Sequence, residues 1–159
     1  MLWQRVERHK EIGRTVNDSR QTLYGVLCKT NAIALATCVG NTPNVRVVNF
    51  CCDRSRPGIL YFATDRDNGK VKEFAANSRV AFTTIPENGE SVPHARSHDC
   101  IVRKSAFSLN ELQELFIAKI PGYGETIDAI GESLDVYEIE IATATLVLSF
   151  EETTTVCFC

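Results

Sequence analysis

The chain has 159 residues, 44% of them hydrophobic and 23% charged, a length and balance that suit one ordered domain with a full hydrophobic core. Its net charge of −3, from 17 basic and 20 acidic residues, argues against a general nucleic-acid binder, which carries a basic excess or patch. No apolar run approaches the ~18 residues of a membrane span, so no membrane association is expected. A small anion held by two or three local cations stays open.

Taken in chain order, residues 1–30 read as an N-terminal helical segment. Val6, Ile12, Val16, Leu23 and Val26-Leu27 are its loosely spaced apolar positions, with a break expected near Gly13 or the Asn17-Asp18-Ser19 cluster. Met1-Leu2-Trp3 runs directly into charged residues, so no secretory leader is expected. A β-rich core follows. Ala32 to Cys38 reads as a buried strand, Gly40 to Asn44 as a turn, Val45 to Cys52 as a second strand and Ile59 to Thr64 as a third. The short turns between them imply antiparallel pairing.

The period then changes. Val71, Phe74 and Ala75 fall at the spacing of a short amphipathic helix that Asp67 or Asn68 can cap. Val80 to Ile85 is a fourth strand, 86–93 a polar loop, and a fifth strand lies between Arg96 and Phe107. Ser108 and Glu111 have capping-box spacing, with Leu112, Leu115, Phe116 and Lys119 following on a helix that stops before Pro121-Gly122. A loop or short helix spans Tyr123 to Gly131. Strands are expected at Val136 to Ile141 and Thr145 to Phe150, and 151–159 reads as a loosely fixed tail. The fold class is therefore mainly β. A six- to seven-stranded antiparallel barrel carries peripheral helices, in one domain spanning 1–159.

Seven cysteines, an odd number with no C-x-x-C, point to free thiols in a reducing, cytoplasmic setting and to no zinc knuckle. Cys51 and Cys52, adjacent on a strand, should face opposite ways.

Three elements carry chemistry. In Val45-Arg46-Val47-Val48-Asn49-Phe50, alternation puts Arg46, Val48 and Phe50 on one face and Val47 and Asn49 on the other. A guanidinium in so apolar a strand needs a partner. An acid on a neighbouring strand supplies one, and so does a bound phosphate, whose oxygens match the arginine fork. Thr64 ends its strand on a hydroxyl, suited to an anion or to a turn. Lys70 sits in the first turn of a helix, where the dipole disfavours a cation unless an anion docks there. Arg46, Thr64 and Lys70 can converge on one phosphate. His94, Arg96, His98 and Cys100 would share one face of the fifth strand, as a substrate contact or as a solvated strand edge.

The run from Ala32 to Ile85 resembles the FMN-binding split β-barrel proteins related to pyridoxamine 5′-phosphate oxidase. The pattern is Pro43-x-Val45-Arg46-Val47-Val48, then Leu60-Tyr61-Phe62-Ala63-Thr64, then Lys70, then Asn77-Ser78-Arg79-Val80-Ala81. Leu134 to Ile139 is similar to the family's last strands, so the likeness covers residues 20–150. The resemblance implies a Greek-key split barrel with FMN as cofactor. It implies Arg46, Lys70 and Thr64 at the FMN phosphate, Val47, Val48 and Asn49 along the ring, and Ala63 and Gly69 lining the cofactor. Gly69 stands where the family often has arginine.

The resemblance further implies a homodimer with FMN in the interface. It implies an oxidoreductase that meets a small-molecule substrate or electron donor, with no metal site and with His94, Arg96 and His98 on the substrate side. A non-catalytic flavin sensor or carrier, and a split barrel for haem or the deazaflavin F420, are the alternatives. After Phe150 no tryptophan or basic residue follows, so pyridoxal phosphate synthesis itself is not expected.

Overall fold

The computed structural model describes residues 17–158. Helix α1 covers 17–28. Leu23, Val26 and Leu27 are its buried stripe, at the spacing that puts side chains on one helix face. No break occurs at Asn17-Asp18-Ser19, which is helical. Gly13, Val6, Ile12 and Val16 lie outside the described residues.

The strands are β1 (Ala32–Val39), β2 (Thr42–Asn49), β3 (Cys51–Cys52), β4 (Ile59–Asp65), β5 (Arg79–Thr84), β6 (His94–Lys104), β7 (Leu134–Val147) and β8 (Thr153–Cys157). The helices after α1 are α2 (Gly69–Ala76), α3 (Leu109–Lys119) and α4 (Tyr123–Ile130). The mainly β, antiparallel split barrel is therefore present. All ladders are antiparallel, in the order β2-β1-β5-β6-β7-β4-β3, with β8 beside β7.

The expected strand Val45 to Cys52 is in fact two. It breaks at Phe50, and its halves occupy opposite ends of that order. One residue thus links the two edges of the sheet, which forces the sheet to curl until they meet. Phe50 fills the seam and is fully buried, and its amide donates to the Asn31 carbonyl at 3.2 Å.

The turn before β2 is shorter than 40–44. Only residues 40–41 turn, with Gly40 at φ 58°, and Pro43 lies within the strand opposite Cys38. Proline is tolerated there because β2 is an edge strand.

β7 is one continuous strand where two were expected. One flank pairs with β6, and the other is shared end to end by β4 (Leu134 to Glu140) and β8 (Thr143 to Val147). The 151–159 tail is accordingly corrected: Thr153–Cys157 is a paired strand, Val156 is buried, and only Cys159 falls outside the described residues. Threonine is β-branched and fits a pleated surface, which the polarity of the run concealed.

The core has two parts. One fills the barrel around Ile33, Leu35, Phe50, Phe62 and Ile139. The other lies on the outer face, where α3 and α4 cover Tyr61, Val136 and Cys51 with Phe116 and Tyr123. Cys51 and Cys52 do face opposite ways, one into each core part. Coverage on both faces explains why Val136, Tyr137, Glu138 and Ile139 are all buried. The capping box forms as expected: the Glu111 amide donates to Ser108 Oγ at 3.3 Å, and the Ser108 amide donates to Glu111 Oε2 at 2.8 Å.

Glu138 is the buried charge of this second layer. It accepts from Arg56 Nη1 and Ser105 Oγ, each at 2.9 Å, and from Arg103 Nε at 3.3 Å. Burial works to raise its carboxyl pKa, but these donors, Arg56 first, hold it below the ordinary glutamate range.

Among the described residues no helix is long and apolar enough to cross a membrane, and no histidine, cysteine and carboxylate group can hold a metal ion.

Candidate functional site

α2 starts at Asn68, whose side chain accepts from the Lys70 amide at 3.1 Å. Phe74 anchors the helix in the barrel against Phe62 and Tyr137, at ring distances of 5.9 and 5.4 Å. With Phe74 fixed inward, Lys70 and Glu73, three apart on the helix, lie along the flank facing β1 and β2.

The β2 alternation holds: Arg46 and Val48 are half-buried and Val47 and Asn49 exposed. Arg46 Nη1 donates to Thr37 Oγ1 at 2.8 Å and to the Leu35 carbonyl at 3.5 Å, and Nη2 donates to Glu73 Oε2. The acid partner therefore exists, but it comes from α2 instead of a neighbouring strand. Glu73 also accepts from Thr37 Oγ1 and from Asn44 Nδ2 at 3.0 Å. The hydrogen bonds from Thr37 and Asn44 hold its carboxyl below the ordinary value, and Arg46 adds to them.

Lys70 Nζ turns back to donate to Thr64 Oγ1 at 2.8 Å, and Thr64 is buried. Burial lowers the Lys70 pKa, and the charge of Arg46 lowers it further; Glu73 and Asp65 act the other way. Among the described residues no carboxylate lies within ion-pair distance of Lys70. The first turn of α2 holds no acid either. Arg46 is thus paired with Glu73, whereas Lys70, half-buried beside a helix N-terminus, meets only a neutral hydroxyl at hydrogen-bond distance. That donor set fits a phosphate, which would answer both charges beside the positive end of the helix.

Of the expected phosphate residues, Lys70 meets Thr64, and Arg46 lies near enough for its charge to act on Lys70. Gly69 opens α2 with open space where a Cβ would stand, so the glycine is not enforced by crowding. Ala63 is half-buried at the end of β4, beside Thr64. Thr37, Asn44 and Glu73 were not anticipated. Glu73 had a signal in its spacing from Lys70, whereas Thr37 and Asn44 enter only through the β1–β2 register, which sets them opposite each other.

The outer face of the same sheet carries a shallow groove of about 260 Å³ lined by Ala34, Ala36, Val45, Ala81, Arg96 and His98 among others. Val45 lines this groove from the face of β2 opposite the one that carries Arg46. His94, Arg96 and His98 do point outward, but Cys100 does not share their face. The β6–β7 register shifts at Asp99, and this bulge turns Cys100 into the core. Nor is β6 a sheet edge, since it lies between β5 and β7. His94 Nδ1 lies 2.6 Å from the Ser91 carbonyl, whereas Arg96 and His98 have no side-chain partner among the described residues.

The family model described as pyridoxamine 5′-phosphate oxidase-like matches residues 26–150. No curated protein matches at a significant level. Among solved structures, ChuZ from Campylobacter jejuni superposes with a TM-score of 0.71 at 13% identity over 89% of this chain and 60% of that one. A heme binding protein from Mycobacterium smegmatis gives 0.63 at 14% over 83% of this chain and 55% of that one. A NimC/NimA family protein from Clostridium acetobutylicum gives 0.59 at 16%, over 86% and 90%. The chain thus spans little more than half the length of the first and second of these. At such identities the likeness speaks for the fold alone.

Proposed function

Because the chain belongs to the pyridoxamine 5′-phosphate oxidase-like family across residues 26–150, we propose that it binds FMN and works as an FMN-dependent oxidoreductase on a small substrate. The supporting observation is Lys70: a half-buried ammonium next to Arg46 whose only hydrogen-bond partner, among the described residues, is the neutral Thr64 hydroxyl. A phosphate monoester is the anion that answers two cations, a hydroxyl and a helix N-terminus at once.

In this reading Arg46 and Lys70 hold the phosphate charge and Thr64 offers its hydroxyl. Glu73 is a positioning residue, clamped by Thr37 and Asn44, that fixes the Arg46 guanidinium. Its contact occupies only part of the fork, and the Nε edge stays free for a phosphate oxygen. Val47, Val48, Asn49 and Ala63 border the ring, and Gly69 leaves room at the start of α2. Bound FMN would supply hydride and electron transfer. The chain's own residues bind, orient and shield it. Arg96, His98 and His94 lie on the substrate side.

A second copy of the chain completes the site. Val45 and Val47 are each 64% exposed on an edge strand, a surface that suits burial against a partner. The free cysteines among the described residues accord with a reducing, cytoplasmic compartment. Haem is the second reading, favoured by His98 in the groove beside β2.

The visible spectrum of the purified full chain decides between them. FMN predicts flavin bands, restored by reconstitution and lost in Arg46→Ala. A Soret band that depends on His98 would replace FMN with haem. A colourless protein that takes up neither would overturn both readings. Anaerobic NADH or NADPH then tests for an enzyme, which bleaches the flavin, against a carrier, which does not.

A further inference from the structure

One cavity shares no residue with the Arg46–Lys70 cluster. It lies between α1 and the β3–β4 turn and measures about 570 Å³, within the roughly 300–1,000 Å³ typical of small-molecule pockets. Its floor is apolar, with Leu23, Leu27, Leu60 and Ile141. Its rim carries Arg20, Arg54 and Arg56.

The three arginines are not equivalent. Arg56 is bound to the buried Glu138 at 2.9 Å, so its charge is answered. Arg20 donates Nε and Nη2 to the Cys157 carbonyl at 3.1 and 2.6 Å, a neutral acceptor, and lies 5.4 Å from the Phe158 ring centroid. Arg54 lies 4.6 Å from the Tyr24 ring centroid. Among the described residues no carboxylate comes within ion-pair distance of Arg20 or Arg54. The cavity's own acid, Asp53, already accepts from the Ser55 amide at 2.9 Å and from Ser55 Oγ at 2.6 Å.

We infer that this cavity is a second ligand site, built for an amphipathic organic monocarboxylate. The apolar floor takes the body of the ligand, and the Arg54 and Arg20 forks take its carboxylate. Both guanidiniums rest on aromatic faces, which limits their motion before a ligand arrives. Three guanidiniums against Glu138 and Asp53 leave one positive charge. That excess matches a monoanion better than a phosphate dianion. The inference stands independently of the cofactor proposed above.

The test is isothermal titration of the full chain with 2-naphthoate as the probe, and with 2-naphthamide, its uncharged counterpart. Saturable one-to-one binding of the acid is expected, with the amide at least about tenfold weaker. Arg54→Gln and Arg20→Gln should each weaken naphthoate binding by about tenfold or more, the usual effect of losing one charged hydrogen bond, while FMN uptake stays as in the parent protein. Absence of saturable naphthoate binding overturns the inference, as does equal affinity for acid and amide or naphthoate affinity unchanged in both variants. The comparison of acid with amide uses the parent protein alone, so it decides even if a variant fails to fold.

Discussion

Replacing Lys70 with methionine keeps the length and apolar stem of the side chain and removes the ammonium. Opposite a phosphate oxygen at about 4 Å, and at an effective dielectric constant of about 20, that charge contributes an attraction of about 4 kcal/mol. Charged hydrogen bonds measured by mutation are smaller, about 1.5–3 kcal/mol. Lys70 already gives up part of its hydration in the folded chain, as its lowered pKa shows. Binding therefore costs it little further desolvation, and the upper half of that range applies. A loss of about 2–3 kcal/mol weakens FMN about 30- to 150-fold. Riboflavin has the same ring and no phosphate, so its affinity should move less than about twofold, within the scatter expected of an untouched contact. The fold should hardly notice. The variant loses one hydrogen bond to Thr64, worth about 1 kcal/mol, but also removes a desolvated charge that faces Arg46. Fluorescence titration of the apoprotein with both flavins, beside a thermal melt, reads all three quantities. Equal losses for FMN and riboflavin, or unchanged FMN affinity, would refute the assignment of Lys70 to the phosphate.

Glu73→Gln keeps a side chain of the same shape while removing the charge that answers Arg46. FMN should bind about three- to tenfold tighter by the same titration, and apoprotein stability should fall by about 1–2 kcal/mol in urea, as a partly buried charge pair is broken. Glu138→Ala leaves Arg56 without its carboxylate under α3 and α4. A cost of about 1.5–3 kcal/mol is expected, because the arginines left behind are partly solvated, seen by calorimetry as a Tm lowered by about 3–12 °C. Because the Glu138 carboxyl is held low, its stabilisation is complete above the ordinary glutamate value of about 4.3 and fades as pH falls through its own lower value; urea melts across that window should lose less in Glu138→Gln than in the parent. Val47→Asp places a charge on the exposed face of the edge strand. Light scattering should report a dimeric parent and a monomeric variant, and a parent that is itself monomeric would refute the proposed interface.

Local signals were the legible ones. The Ser108–Glu111 capping box, the Asn68 cap and the Val71–Phe74 stripe depend on residues within one helical turn, and each is present. The β2 alternation was legible for the same reason, and with it the opposite placement of Arg46 and Val47. What escaped depends on partners far along the chain. The division of Val45 to Cys52 at Phe50 follows from closing the sheet, and no local property of those residues announces it. The turn of Cys100 away from His98 follows from a bulge whose register is set by β7. Thr153 to Thr155 has the composition of a loop and becomes a strand because β4 leaves half of one β7 flank unpaired. In the candidate site, Arg46, Thr64 and Lys70 could be joined through order and spacing, while Thr37 and Asn44 meet Glu73 only when β1, β2 and α2 pack.

Gly58 sits at φ 83°, and a Cβ there would stand 2.8 Å from the Phe158 ring, which β8 lays across the β3–β4 turn. The two positions are one hundred residues apart and share one volume. A chain of this fold that acquires a side chain at 58 must surrender the ring at 158, and one that keeps the ring must keep the glycine. Across related sequences the ring at 158 should therefore occur only with glycine at 58, whereas the glycine, required by its own φ, should persist where the ring is lost.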